Sequence, residues 1–198
     1  MPTNIAYPVI ISHVTATGTT PQGVACDPTG KFVYVANNGS NSVQAFTINQ
    51  TTGALTSVGT YSTGTSPRDV ACDPTGKFVY VTNYNDATVQ AYTINQTTGA
   101  LTSVGTTGTG TQPYGVACDP TGKFVYVTNF GTSTVQEFTI NQTTGALISV
   151  GTYSTGLQPY GVACDPTGKF VYVTNSGSAN VQAYTINQTT GALTSVGT

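Results

Sequence analysis

Charge is scarce in this sequence. Five Lys and Arg and seven Asp and Glu make up 6% of 198 residues, the formal net charge is −2, and His13 is the single histidine. A surface that neutralises nucleic-acid phosphates needs clustered cations, and no basic run or stripe is present, so nucleic-acid binding is not expected. Chains too polar to fold usually carry many charges; here 38% of residues are hydrophobic, enough for a core at this length. Long apolar runs are missing as well. The most apolar stretch, Tyr7–Ile11, is far too short to cross a bilayer. The leading MPTNIAYPVIISHV has no Lys or Arg ahead of its apolar patch and does not read as a secretory signal. A soluble chain is expected, with its compartment left open.

What is present is Thr, Asn, Ser, Gln and Gly alongside Val and Tyr. Thr, Val and Tyr suit strands, and Gly, Asn and Pro suit turns, so the chain reads as all-β. It is also repetitive. CDPTGKFVYVTN stands at Cys72–Asn83, Cys118–Asn129 and Cys164–Asn175, and the copy at Cys26–Asn37 differs only in ending VAN. The cysteines at 26, 72, 118 and 164 mark a constant spacing of 46 residues. A fixed period in this range marks a repeat architecture whose units bury their faces against one another.

Each unit reads as four short strands. In the second unit these are Asp69–Cys72, Lys77–Thr82, Thr88–Ile94 and Leu101–Thr106, the last running on towards Thr111. Asp73-Pro74-Thr75-Gly76 has the residues of a type I turn, and Asn95-Gln96-Thr97-Thr98-Gly99 turns again on a glycine free to take positive φ. In the second strand Phe78 and Tyr80 share one face and Val79 and Val81 the other, so both faces must be covered. The fourth strand is more polar. Apolar inner strands with a polar outer strand, joined by hairpins throughout, describe a propeller blade; a hairpin solenoid is the competing arrangement.

The string P-x-G-V-A-C-D-P-T-G-K-F-V-Y-V-T-N, followed by A-Y-T-I-N-Q-T-T-G-A-L, resembles the YVTN-type repeat. It is similar to blades of the seven-bladed propellers of the 6-phosphogluconolactonase-like lactonase family, from Pro21 to Thr198. The expected organisation is a single propeller or half-propeller domain over 1–198, with blades at about 21–66, 67–112, 113–158 and 159–198 and a diverged outer strand in 1–20. The resemblance implies seven blades where this chain has four units. Four blades alone would need a turn of about 90° between neighbours, against roughly 45–50° in rings of seven or eight. Two chains head to tail would close an eight-bladed ring, so a homodimer is expected, with a four-bladed monomer as the alternative. The N-terminal segment is expected to cross the junction and leave Leu193–Thr198 displaced or marginal.

Most of the charge is absorbed by the repeated turns. Asp27, Asp73, Asp119 and Asp165 read as turn caps, and the cysteines as small buried hydrophobes. A spacing of 46 is not a zinc pattern, and neither a metal nor a cofactor is expected. Asn49, Asn95, Asn141 and Asn187 each open an Asn-Gln-Thr triplet, which matches a glycosylation acceptor but is explained by its turn. The informative positions are those where the units differ. The DPTGK and NQTTGA turns are constant. The connections before strand one and between strands two and three vary, and alternating strand direction puts both on one face of the ring. Gln22, Arg68, Tyr114 and Tyr160 are equivalent there; Asp69 follows Arg68, and Tyr84 and Phe130 lie further out. These seven are the candidate binding residues, suited to a small polar ligand or a glycan. Three functions compete: a non-catalytic scaffold that self-assembles into a ring and offers this face to a ligand or partner, a lactonase-like hydrolase, and a glycan-binding lectin. The resemblance implies a Pro-Arg-His motif at the entry to an inner strand; here Pro67-Arg68-Asp69 keeps the Arg and lacks the His, so no catalytic residue is named and an enzyme is not the leading expectation.

Overall fold

The computed structural model describes residues 14–197. Among the described residues sixteen strands form four separate four-stranded antiparallel sheets, each a simple meander in chain order. The first blade holds β1 (Pro21–Cys26), β2 (Phe32–Asn37), β3 (Ser42–Ile48) and β4 (Leu55–Ser62), with a short 3₁₀ turn at Asn38–Ser40. The second holds β5 (Pro67–Cys72), β6 (Phe78–Asn83), β7 (Thr88–Ile94) and β8 (Leu101–Gly108). The third holds β9 (Pro113–Cys118), β10 (Phe124–Asn129), β11 (Thr134–Ile140) and β12 (Leu147–Ser154), and the fourth β13 (Pro159–Cys164), β14 (Phe170–Asn175), β15 (Asn180–Ile186) and β16 (Leu193–Ser195).

Strand three of the second blade falls where the sequence places it, and the other three shift. The first strand begins two residues earlier, at Pro67, because a bulge between Pro67 and Val70 lets the proline pair with Asn83 without donating to the ladder. The second starts at Phe78, since the Lys77 carbonyl turns to accept from the Ile94 amide across the hairpin. The fourth runs to Gly108.

Both faces of β2, β6 and β10 are buried, as the alternation requires, whereas on β14 Tyr172 and Thr174 are exposed. Val79 and Val81 pack with Phe32, Tyr34 and Val43 of the first blade, while Phe78 and Tyr80 pack with Val116, Val125 and Val127 of the third. The first strands of successive blades, β1, β5, β9 and β13, lie side by side and form the inner wall. Among the described residues no comparable contact joins β13 back to β1, so the four blades make an open arc and not a closed four-bladed ring.

Leu193–Ser195 is not displaced: it pairs in register with Tyr184–Ile186 as the outer strand of the fourth blade, because the preceding NQTTGA turn folds as it does in every other unit. It is marginal in length, three residues where β4, β8 and β12 have eight. Of the segment 1–20, in which the diverged outer strand is expected, residues 1–13 lie outside the described residues and residues 14–20 form no strand. The latter stretch has the geometry of a link between blades: Thr17 donates to the Gly18 carbonyl as Thr63 does to Gly64, and Thr20 has φ of 46° where Ser66 has 57°.

Candidate functional site

The two varying connections are knitted together by backbone hydrogen bonds. Before β5, Ser66 and Thr65 offer carbonyls to the amides of Tyr84 and Asn85, and Asn41 offers its carbonyl to Thr63 from the loop of the preceding blade. The corresponding pairs recur in the other blades. All eight non-glycine residues with positive φ among the described residues, including Ser66, Ala87, Gln112 and Ser133, sit in these connections. The constant turns place glycine where φ is positive, at Gly76 and Gly99 for example. Backbone strain therefore collects on the variable face, where it holds loop residues in set positions.

That face brings the candidates together. Gln22, Arg68, Asp69, Tyr114 and Tyr160, with glycines 23, 115 and 161, line a depression of about 290 Å³ at the mouth of the inner wall. Each blade contributes through the first residues of its innermost strand. Tyr84 and Phe130 stand beside it: Tyr84 meets Tyr114 edge-on at 6.2 Å, and Phe130 lies 6.3 Å from Tyr114 and 6.2 Å from Tyr160. Tyr114 and Tyr160 stack with centroids 3.7 Å apart, and their hydroxyls are hydrogen bonded.

Arg68 enters this aromatic group as its one cation. Its guanidinium carbon is 4.6 Å from the Tyr84 ring centre and 5.4 Å from that of Tyr114, within cation–π range. Its Nε is buried without a hydrogen-bond partner. Asp69 points the other way, into the junction with the third blade, where one carboxylate oxygen accepts from the Val70 amide at 2.9 Å and the other from the Val116 amide at 3.1 Å. Burial raises its pKa, and those two amides only partly offset the rise. Gly23 fits against it because a Cβ there would stand 2.7 Å from the Asp69 Cα. Burial, with the hydrogen bond to Tyr160, pushes the Tyr114 hydroxyl up to about 12, so it is a donor at neutral pH.

Two supporting residues escape sequence reasoning because they lie inside the constant YVTN string. Thr82 donates to the Tyr114 carbonyl, and Thr128 to the Tyr160 carbonyl, each at 2.7 Å, fixing the backbone that carries each ring. The first unit has Ala36 at this position, and that difference was the available signal. At the opposite mouth the four cysteines and three of the turn aspartates, Asp73, Asp119 and Asp165, line a smaller space of about 250 Å³. The cysteines are free, and among the described residues no three His, Cys, Asp or Glu side chains are placed to hold a metal. Among the described residues no helix is long and apolar enough to cross a membrane.

Four-stranded meanders stacked about an inner wall of first strands, with a polar and aromatic depression at one mouth, define a β-propeller. The chain belongs to the lactonase, 7-bladed beta-propeller family, whose model matches residues 6–118 and 107–198. A comparison with curated protein sequences returns no match. Among solved structures it is similar to an assigned 6-phosphogluconolactonase from Bacteroides uniformis, at 22% identity and a TM-score of 0.82, covering 92% of this chain and 57% of that one. A second assigned 6-phosphogluconolactonase, from Bacteroides fragilis, is 27% identical with a TM-score of 0.80 over 89% of this chain and 53% of that one. The periplasmic gluconolactonase of Pseudomonas aeruginosa is 20% identical, with a TM-score of 0.73 over 89% and 53%. The chain thus spans a little over half the length of these structures.

Proposed function

We propose that the chain is a ligand-binding part of a lactonase-type propeller, and that its variable face takes a small polar sugar acid or its lactone. The observation that carries this is Arg68. A cation stacked on two tyrosines, with its Nε buried and without a partner, is arranged to receive an anionic or strongly polar oxygen. The flat faces of Tyr84, Tyr114 and Tyr160 around it suit the apolar side of a sugar ring, and the hydroxyls suit its edges. The names borne by the Bacteroides and Pseudomonas relatives point to the same ligand class.

For hydrolysis, Arg68 would stabilise the oxyanion that forms on the lactone carbonyl, while Asp69, whose two carboxylate oxygens accept from the Val70 and Val116 amides, is turned away from it. Titration of 6-phosphogluconate and of glucono-δ-lactone by calorimetry, with hydrolysis followed by pH-stat, tests the reading. Binding should weaken by about tenfold or more in Arg68→Ala, the loss expected for a hydrogen bond to a charged group. Binding without turnover identifies a non-catalytic receptor; no binding to either compound, and glycan-array hits instead, would replace this reading by the lectin.

A further inference from the structure

Three junctions join the four blades, and away from the variable face they are alike. Tyr34, Tyr80 and Tyr126 each reach into the next blade and donate to the carbonyl of Gly99, Gly145 and Gly191, at 3.1, 3.1 and 2.7 Å. At the variable face a second tie repeats, and it depends on the threonine of the YVTN string. Its hydroxyl accepts from the amide of the third residue of its own blade's inner strand: Thr82 from Asp69 at 3.1 Å, Thr128 from Gly115 at 2.8 Å, Thr174 from Gly161 at 2.9 Å. The same hydroxyl donates across the junction to the carbonyl of the second residue of the next inner strand, Thr82 to Tyr114 and Thr128 to Tyr160, each at 2.7 Å. One hydroxyl thus serves an amide of one blade and a carbonyl of the next.

The junction of the first and second blades lacks that hydroxyl. Ala36 stands in the threonine's position and is fully buried. It offers neither an acceptor to the Gly23 amide nor a donor to the Arg68 carbonyl, the two groups that the hydroxyl serves in the other junctions. An amide or carbonyl left unpaired inside a junction is costly, so this pair draws in a hydroxyl from outside the chain. Gly23 and Arg68 both line the depression of about 290 Å³. A Cβ on Gly23 would stand 2.7 Å from Asp69 Oδ1, so a carboxylate oxygen borders the same place. A hydroxyl from outside meets one donor and two acceptors there, enough to hold it. The exception to the repeat falls at the junction that carries the Arg68 main chain.

We propose that this place is a subsite for a hydroxyl group of the ligand, and that Ala36 is the residue that creates it. The inference rests on the sugar-acid reading of the variable face and adds which part of the ligand is recognised. The ligand's hydroxyl takes the threonine's role: it accepts from the Gly23 amide and donates to the Arg68 carbonyl. Its acidic oxygen lies at the Arg68 guanidinium, whose Nε is buried without a partner. Arg68 thus holds two points of the ligand, one with its main chain and one with the tip of its side chain. Those points are several bonds apart, so the ligand carries this hydroxyl well away from its acidic group, as a polyhydroxy acid does. An analogue without the hydroxyl leaves the amide and the carbonyl unpaired, which is how a site built on hydrogen bonds rejects deoxy compounds.

Ala36→Thr restores the residue of the other three units. Without ligand it should raise the melting temperature, because the new hydroxyl ties the Gly23 amide to the Arg68 carbonyl. In calorimetry it should weaken D-gluconate binding by about 3- to 10-fold, because the ligand's hydroxyl loses its place. Ala36→Ser supplies the hydroxyl without the methyl group and should move both quantities in the same directions; if threonine does not fit, serine decides. A gain in stability with a loss of affinity is the signature, since general damage to the junction lowers both. An unchanged gluconate affinity shows that water alone uses the place and overturns the inference. So does weakened binding with a lower melting temperature in both variants. Either result leaves the sugar-acid reading standing, whereas a wild-type chain that binds no gluconate overturns that reading and this inference with it.

Discussion

At the scale of single residues, the position that departs most from its repeats is Glu137. Ala45, Ala91 and Ala183 occupy the same place in the other units. Glu137 is fully buried; its Oε2 accepts from the Tyr153 hydroxyl at 2.7 Å and its Oε1 has no partner. Burial raises its pKa, and the Tyr153 hydrogen bond only partly opposes that. Folding therefore favours the protonated form. Its contribution to stability is fully present below the ordinary carboxyl range and is lost as pH rises through the raised folded value. Glu137→Gln keeps the shape and removes the charge, so it should stabilise the chain by about 1–3 kcal/mol at pH 8 and by much less at pH 4.5. Thermal melts at the two values check this; an equal gap at both would show that charge is not the cause. Asp165 acts in the opposite sense. The Thr167 hydroxyl, then the amides of Phe170, Thr167 and Lys169, hold its pKa below the usual range, so its contribution is lost as pH falls.

At the scale of the element, the constant DPTGK turn is explained by its aspartate. In the second blade Asp73 accepts from the Thr75 amide at 3.0 Å and from the buried Phe78 amide at 2.7 Å, while its own amide donates to the Phe78 carbonyl. One carboxylate thus closes the hairpin and satisfies the amide that starts β6. Asp73→Ala leaves that buried amide without its partner and should cost about 1–3 kcal/mol in urea unfolding, more than Asp165→Ala in the exposed fourth blade. Equal losses at the two sites would argue that burial of the amide is not what matters. This turn, its residues and its role were legible in CDPTGK, because all of its bonds close within five residues. The bulge that draws Pro67 into β5 was not legible, because it depends on where Asn83 of the neighbouring strand stands.

For the whole molecule, stability is distributed over like junctions, as in other repeat folds. Tyr80→Phe and Tyr126→Phe each remove one hydroxyl-to-glycine bond between blades and leave the ring packed. Each should cost about 0.5–1.5 kcal/mol, and the double variant should lose close to their sum, since the two junctions share no partner. Equilibrium urea titration of the two single variants and the double variant reads this; a strongly non-additive double variant would mean that the arc unfolds through coupling between junctions. The solved relatives superpose on four blades while spanning nearly twice the length, so the arc carries the curvature of a larger ring.

The sequence by itself determined the period, the four strands of each blade, the turn chemistry, the burial of both strand faces, and which mouth of the inner wall varies. These follow from signals that act over a few residues: turn dihedrals, alternation of side chains, and capping aspartates. Tertiary structure alone decided that the four blades stop short of a ring, that Arg68 lies over Tyr84 from a loop of its own blade and Tyr114 from the next, and that Glu137 is enclosed by the fourth blade. It also decided that Leu193–Ser195 holds its place as an outer strand. Such outcomes rest on how separately folded sheets stack, through contacts like Tyr34 to Gly99 that join residues 65 apart, and no local pattern specifies the angle at which one sheet meets the next.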